Sequence, residues 1–242
     1  MSLFPDTDID LSLVTFRPEE AKDYEAVNSM VRDAFWNLYM PGADEHILVR
    51  KLRSHPDFIP ELSVVGLMKG EVVACIMYSK SFVGAFPMIT FGPVAVTPSL
   101  QGRGIGSLII QESLKRASKS GYKGVIIQGH PIFYERLGFK YSKLFHISNE
   151  MNQYPKGQLV LELQPNALDN VNGSVAFSSV FDIKSDEVEA IEKTLPPKPK
   201  FKTRSQEMFE LVVGLQADDP YPEDFDPKLC FDNKTPANSS LN

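Results

Sequence analysis

The residues with the most specific chemical potential in this chain are six in a row, Gln101-Gly102-Arg103-Gly104-Ile105-Gly106. They follow an apolar run at residues 88–96, and they open a segment whose apolar stripe is Ile105, Leu108, Ile109, Ile110, Leu114 and Ala117. A helix starting there has backbone N–H groups without internal partners and the positive end of its dipole, so the turn suits an anion such as a pyrophosphate. Glycines serve this chemistry because a side chain would hold the backbone away from the ligand, and because several N–H groups converge only in conformations that a β-carbon disfavours. Two familiar phosphate loops do not match. G-x-G-x-x-G would need glycine at Ser107 or Ile109, and G-x-x-x-x-G-K-[ST] has no matching lysine. On the glycines alone, a merely tight connection stays open as the alternative.

A second group with chemical potential is Gly129-His130-Pro131-Ile132-Phe133-Tyr134-Glu135-Arg136-Leu137-Gly138-Phe139. The Tyr134 phenol can donate a proton, but beside Phe133 and Phe139 it can equally be a packing ring, and on spacing alone packing takes precedence. His130 titrates near neutrality in water and could act as a base. It could also cap the turn that Pro131 opens, and that reading comes first. His46, Glu25 and Glu45 are weaker base candidates, each with surface exposure as the alternative. The two cysteines, Cys75 and Cys230, lack C-x-x-C spacing, so neither a zinc site nor a disulfide framework is expected.

The elements that must position these groups follow from periodicity. Residues 14–17 suit a short strand, and Pro18 opens a segment with Ala21, Tyr24, Val27, Met30, Val31 and Ala34 at helical spacing. Ile47, Leu48 and Leu52 predict a second helix that stops near His55-Pro56. Strands at 63–67 and 72–78 flank Lys69-Gly70 as a hairpin. A strand at 88–96, a helix ending at Gly121, a buried strand at 124–128, a helical turn at 131–137 and a late strand at 159–163 complete an α/β sandwich up to about residue 165. Downstream, residues 171–181 have β character, Ser185 caps a helix with Val188, Ile191 and Leu195, and Pro196, Pro197 and Pro199 interrupt it. A last helix starts at Ser205. Beyond Gln216 the composition predicts loose order.

Composition narrows the function classes. With 242 residues, 43% hydrophobic and 23% charged, one or two folded domains are expected. Residues 166–242 hold 14 Asp and Glu against 8 Lys and Arg, whereas residues 1–165 hold 17 of each, so the extension carries the whole net charge of −6. No basic footprint marks a nucleic-acid partner. The first thirteen residues carry Asp6, Asp8 and Asp10 rather than a leader pattern, and no apolar run of 18 occurs. A soluble, cytoplasmic protein without membrane attachment is the expectation.

Taken in order, the stretch Phe91-Gly92-Pro93-Val94-Ala95-Val96-Thr97-Pro98-Ser99-Leu100-Gln101-Gly102-Arg103-Gly104-Ile105-Gly106 resembles the acetyl-CoA-binding motif of the GNAT superfamily of N-acetyltransferases. Gln101, Gly104 and Gly106 meet its Q/R-x-x-G-x-G/A core. The segment around Tyr134 resembles the tyrosine-containing helix of the same family, within which the chain most resembles the YhbS-like predicted bacterial acetyltransferases. His130 departs from the acidic residue expected there. The resemblance implies a mixed, mostly antiparallel central sheet flanked by helices, in an acetyltransferase domain at 12–165 followed by a C-terminal extension at 166–242 (a strand-like segment, two short helices and a loosely ordered tail).

The resemblance further implies acetyl-CoA as cosubstrate and no metal. The pyrophosphate would lie on the amides of Gln101, Gly102, Arg103, Gly104, Ile105, Gly106 and Ser107. Pantetheine would run beside Val94, Ala95 and Val96, and a backbone N–H there would stabilise the oxyanion. Pro93 suits a strand that splays. Tyr134 would be the general acid and His130 a candidate base, with a small-molecule or protein amine attacking directly in a ternary complex. A non-catalytic acyl-CoA-binding or regulatory module with the same fold is the alternative. For the extension, covering the cleft, docking behind it and mediating a homodimer all stay open.

Overall fold

The structure, a computed structural model, describes residues 9–237. Asp6 and Asp8, used above in the leader reading, lie outside the described residues. Strand β1 (Thr15–Pro18) is followed by a 3₁₀ turn and helix α1 (Tyr24–Phe35), then α2 (Glu45–Leu52). Pro18 ends β1 instead of opening the helix, which starts six residues later. The hairpin forms as expected from β2 (Val64–Met68) and β3 (Glu71–Val83), followed by β4 (Phe86–Val96), α3 (Ile105–Lys119), β5 (Gly124–Gln128) and α4 (Pro131–Tyr134). Short strands β6 (Lys140–Tyr141) and β7 (Ile147–Ser148) precede β8 (Gln158–Glu162), β9 (Gly173–Phe177), α5 (Ser185–Glu192) and α6 (Arg204–Val212).

Hydrogen bonding orders the sheet β1-β2-β3-β4-β5-β8-β6, antiparallel except between β4 and β5. Strand β9 pairs antiparallel with the far end of β3 and parallel with β7. The sheet is therefore mixed and mostly antiparallel, as the resemblance implied. Both of its faces are covered, which explains the continuous apolar runs of β3 and β5. Val27, Met30, Val31 and Ala34 of α1 pack with Leu48 and Leu52 of α2 against Cys75, Met77 and Ala95. On the other face Ile105, Ile109, Ile110 and Ala117 of α3 cover Ala74, Ile76, Val96 and Tyr78, whose hydroxyl meets Ser113 Oγ at 2.9 Å.

Residues from 166 onward join this body at several points. Besides β9 in the sheet, Leu168, Val171 and Val175 enter a third apolar cluster with Met88 and Ile126. Ser185 does not cap α5. It is the first helical residue, and Lys184 takes the cap position with its N–H donated to Glu187 Oε2 at 2.9 Å. Residues 217–237 contain little regular structure yet make defined contacts: Ala217 N donates to Tyr154 O at 2.8 Å, and Asn233 Nδ2 donates to Trp36 O at 3.0 Å. No helix among the described residues is long and apolar enough to cross a membrane.

Candidate active site

The site begins with a failure of strand pairing. Strand β4 stays with β3 as far as Val96, but pairs with its parallel neighbour β5 only at Ile89 and Val125. Between the Tyr78–Phe91 and Ile76–Val94 pairs, β4 has two residues, Gly92 and Pro93, facing the single Met77. Such a bulge bends the strand, and Pro93 has no N–H to offer a neighbour. The strands part, leaving a cleft of about 700 Å³. Thr97 N donates to Val73 O at 2.9 Å, and antiparallel alternation from that pair turns Ala95 toward β3 and directs the N–H and C=O of Val94 and Val96 into the cleft.

The glycine turn closes one end. Gly102 and Gly104 have φ of +75° and +88°, a region costly for other residues, and Gly104 occupies the cap position of α3. Among the described residues that first turn has no capping side chain and no acidic residue, so the leading amides of α3 suit an anion. Gln101 Nε2 donates to Val96 O at 3.1 Å and ties the turn to the strand. Arg136, which sequence reasoning passed over, reaches Ser107 Oγ at 3.5 Å and stacks its guanidinium 4.5 Å from the Phe133 ring centre. It brings a cation to the turn across 29 residues of sequence, a distance at which no local pattern signals contact.

Tyr134 lies on the cleft wall with its ring 4.8 Å from Phe133, 5.6 Å from Phe139 and 5.9 Å from Phe91. It is thus both a packing ring and a cleft residue. Its position depends on Gly129: a β-carbon there would come within 2.3 Å of Tyr134 Cε2. Among the described residues the hydroxyl has no protein hydrogen-bond partner, and burial pushes it above the ordinary phenol range. It is a protonated group facing the cleft, chemically able to donate.

His130 holds the cap position of α4, but its side chain makes no capping hydrogen bond. Instead the ring stacks 5.6 Å from Phe225, and Nε2 lies 3.4 Å from Cys230 Sγ. Burial holds its pKa below the usual value, so it is neutral at pH 7 and occupied by the C-terminal segment. Of the three weaker base candidates only Glu45 lines the cleft. Burial, followed by the charge of Asp44, pushes its carboxyl up to about 8, within the range useful to a base. Glu25 is exposed on α1. His46 is fully buried, with Nε2 2.8 Å from Glu192 Oε1 but off the hydrogen-bond line. Among the described residues no cluster of three or more His, Cys, Asp or Glu is arranged to hold a metal.

Residues 61–141, which include β4, the glycine turn and Tyr134, match the acetyltransferase (GNAT) domain model. The chain carries a GNAT acetyltransferase domain. The uncharacterized N-acetyltransferase YjhQ of Escherichia coli strain K12 is 30% identical over 97 residues, 38% of this chain and 54% of that protein, so the match spans about half the length of the curated relative. Among solved structures, the E. coli GNAT family N-acetyltransferase YhbS in complex with CoA superposes with a TM-score of 0.65 at 23% identity, over 74% of this chain and 97% of that one. A GNAT family acetyltransferase from Brucella melitensis in complex with acetyl-CoA gives 0.58 at 26% identity, over 70% and 98%. Within the GNAT domain fall the glycine turn, Gly129, Tyr134 and Arg136. Glu45 and the residues after 141 lie outside the matched span.

Proposed function

We propose that this protein is an acetyl-CoA-dependent N-acetyltransferase acting on a primary amine by direct attack in a ternary complex. The observation that carries this is the convergence, on one cleft, of an uncapped helix N-terminus, the unpaired edge of β4, a protonated tyrosine and a carboxyl near neutrality. The two similar structures solved with CoA and with acetyl-CoA support the choice of cosubstrate.

Bound acetyl-CoA supplies a thioester carbonyl that an amine can attack without prior activation. The amides of residues 102–107 receive the pyrophosphate, with Arg136 beside them. The Val94 C=O and the Val96 N–H face pantetheine as an added strand, the Val96 C=O being taken by Gln101 Nε2, while Ala95, turned toward β3, contributes its side chain to the wall. The Val94 N–H donates to the carbonyl oxygen on which negative charge develops. Glu45 takes the proton of the acceptor ammonium, the neutral nitrogen adds to the carbonyl carbon, and as the C–S bond then breaks Tyr134 gives its proton to the departing thiolate; the second proton of the attacking nitrogen leaves to solvent, from which Tyr134 is reprotonated. His130 positions the C-terminal segment and moves no proton.

Release of free thiol from acetyl-CoA, followed across a panel of primary amines, tests this. Amine-dependent release with a product 42 Da heavier, about the mass of an added acetyl group, is the expected outcome. Acetyl-CoA binding with no turnover of any amine would instead establish the non-catalytic acyl-CoA-binding module.

A further inference from the structure

Part of the cleft wall is apolar. Phe35, Leu38 and Tyr39 at and just after the end of α1 and Leu48 of α2 form it, and Phe231 of the C-terminal segment also lines the cleft, its ring 6.3 Å from Phe133. Three of the large cleft-lining side chains keep a free face: Tyr39 is 37% exposed, Ile132 41% and Phe231 51%. Rings and aliphatic groups left uncovered in a concave site are those a ligand can cover. Charge is sparse. Among the described residues the charged side chains lining the cleft, apart from the neutral His130 and the protonated tyrosines, are Glu45 and Arg136, and Arg136 sits at Ser107 on the cofactor side.

Phe231 is held between two anchors on opposite walls. The residue before it, Cys230, contacts His130 at the start of α4, where Phe225 also stacks. Two residues after it, Asn233 donates to Trp36 O at the end of α1 at 3.0 Å. Residues 230–233 therefore bridge the cleft, and Phe231 is carried on the bridge. Tyr221 stacks on Phe225 at 4.4 Å, and Ser205 N holds Asp232 O at 3.2 Å.

Building on the acetyltransferase reading, we infer that the acceptor is a small monoamine on an aromatic or alkyl scaffold, its nitrogen at Glu45 and its body against Tyr39 and Phe231, and that the C-terminal segment sets this specificity. A second ammonium, as in a polyamine, would be desolvated against apolar side chains with no partner. An α-carboxylate beside the amine, as in a free amino acid, would face Glu45 as a like charge. A polypeptide laid along the cleft would have to pass the 230–233 bridge.

Initial rates of the full chain with acetyl-CoA and 2-phenylethylamine, hexylamine, spermidine, lysine or a lysine-containing peptide test the inference. The expected result is a kcat/KM at least about tenfold higher for the first two than for the others, roughly the gain from covering a ring or short chain. In Phe231→Ala the KM for 2-phenylethylamine should rise about tenfold, with the change in KM exceeding that in kcat and acetyl-CoA still bound. Because Phe231 is half exposed, the variant should fold, and an unchanged melting temperature checks that it has. Preference for spermidine, lysine or the peptide, or an unaltered phenylethylamine KM in Phe231→Ala, overturns this inference and leaves the acetyltransferase reading intact. Turnover of no amine at all overturns both.

Discussion

Tyr134 and Glu45 owe their proposed roles to the same cause, burial, acting on acids of different strength. Burial favours the neutral form of each, so the phenol stays protonated across the working range while the carboxyl is brought up to about 8. Tyr134→Phe keeps the ring that packs on Phe91, Phe133 and Phe139 and removes only the proton; kcat should fall about 100-fold with acetyl-CoA binding retained in a direct titration. A base works only when ionised, so kcat/KM should climb as pH rises through about 8. Glu45→Gln should lose that limb, leaving only the acceptor's own ionisation in the pH profile. The sequence brought Tyr134 forward through its motif. Glu45 stood equal with Glu25 and His46 because all three lie in the N-terminal helical region, Glu25 on α1 and the other two on α2, and only folding decides which faces the cleft.

At the scale of elements, the site is made by strands and helices ending at the right places. The β4 bulge and the loss of pairing beyond Ile89 open the cleft, α3 starts at its mouth without a cap, and β5 hands over to α4 through Gly129. That glycine is the tightest point, since a methyl group there would occupy the space of the Tyr134 ring. Gly129→Ala should displace the ring and reduce kcat by about 100-fold, the scale of an ångström's misplacement, with far-UV circular dichroism unchanged. Periodicity located most of these elements, and Pro93 hinted at the splay. The need for glycine at 129 was invisible, because the clash comes from a ring five residues on whose rotamer only the packed structure fixes.

For the molecule as a whole, the acidic extension is tied into the N-terminal half. Arg32 pairs with both carboxylate oxygens of Glu192 at 2.8 Å and with Pro196 O at 3.0 Å. Trp36 Nε1 donates to Pro199 O at 2.7 Å. At the end of α1, where carbonyls lack helical partners, Thr203 Oγ1 and Gln206 Nε2 donate to Asn37 O and Ser205 Oγ donates to Leu38 O. Removing one member of the Arg32–Glu192 pair strands a buried charge, so Glu192→Ala should cost about 3 kcal/mol in urea unfolding. His46 sits against the same pair, and burial first, with Arg32 and Arg50 adding repulsion, holds it at about 4. Its unfolded form takes up a proton near pH 6.5, so the His46 contribution to stability is full above that pH and declines as pH falls toward 4. Glu45, held up at about 8, works in the opposite direction, so the contribution is read by comparison: from pH 7.5 to pH 5 the wild type should lose about 2 kcal/mol relative to His46→Gln in urea unfolding.

By itself the sequence determined the fold class and brought forward the glycine turn and Tyr134 as candidates, because each rests on local periodicity or on a motif within some forty residues. It also located the negative charge in the last third of the chain. Tertiary structure alone decided what that last third does: contacts such as His130 with Cys230, or Asn37 with Thr203, join residues 100 and 166 positions apart. Such pairings leave no periodic trace, since each is fixed by the packing of elements that have already formed. The same packing chose Glu45 from among its neighbours and set Phe231 across the cleft.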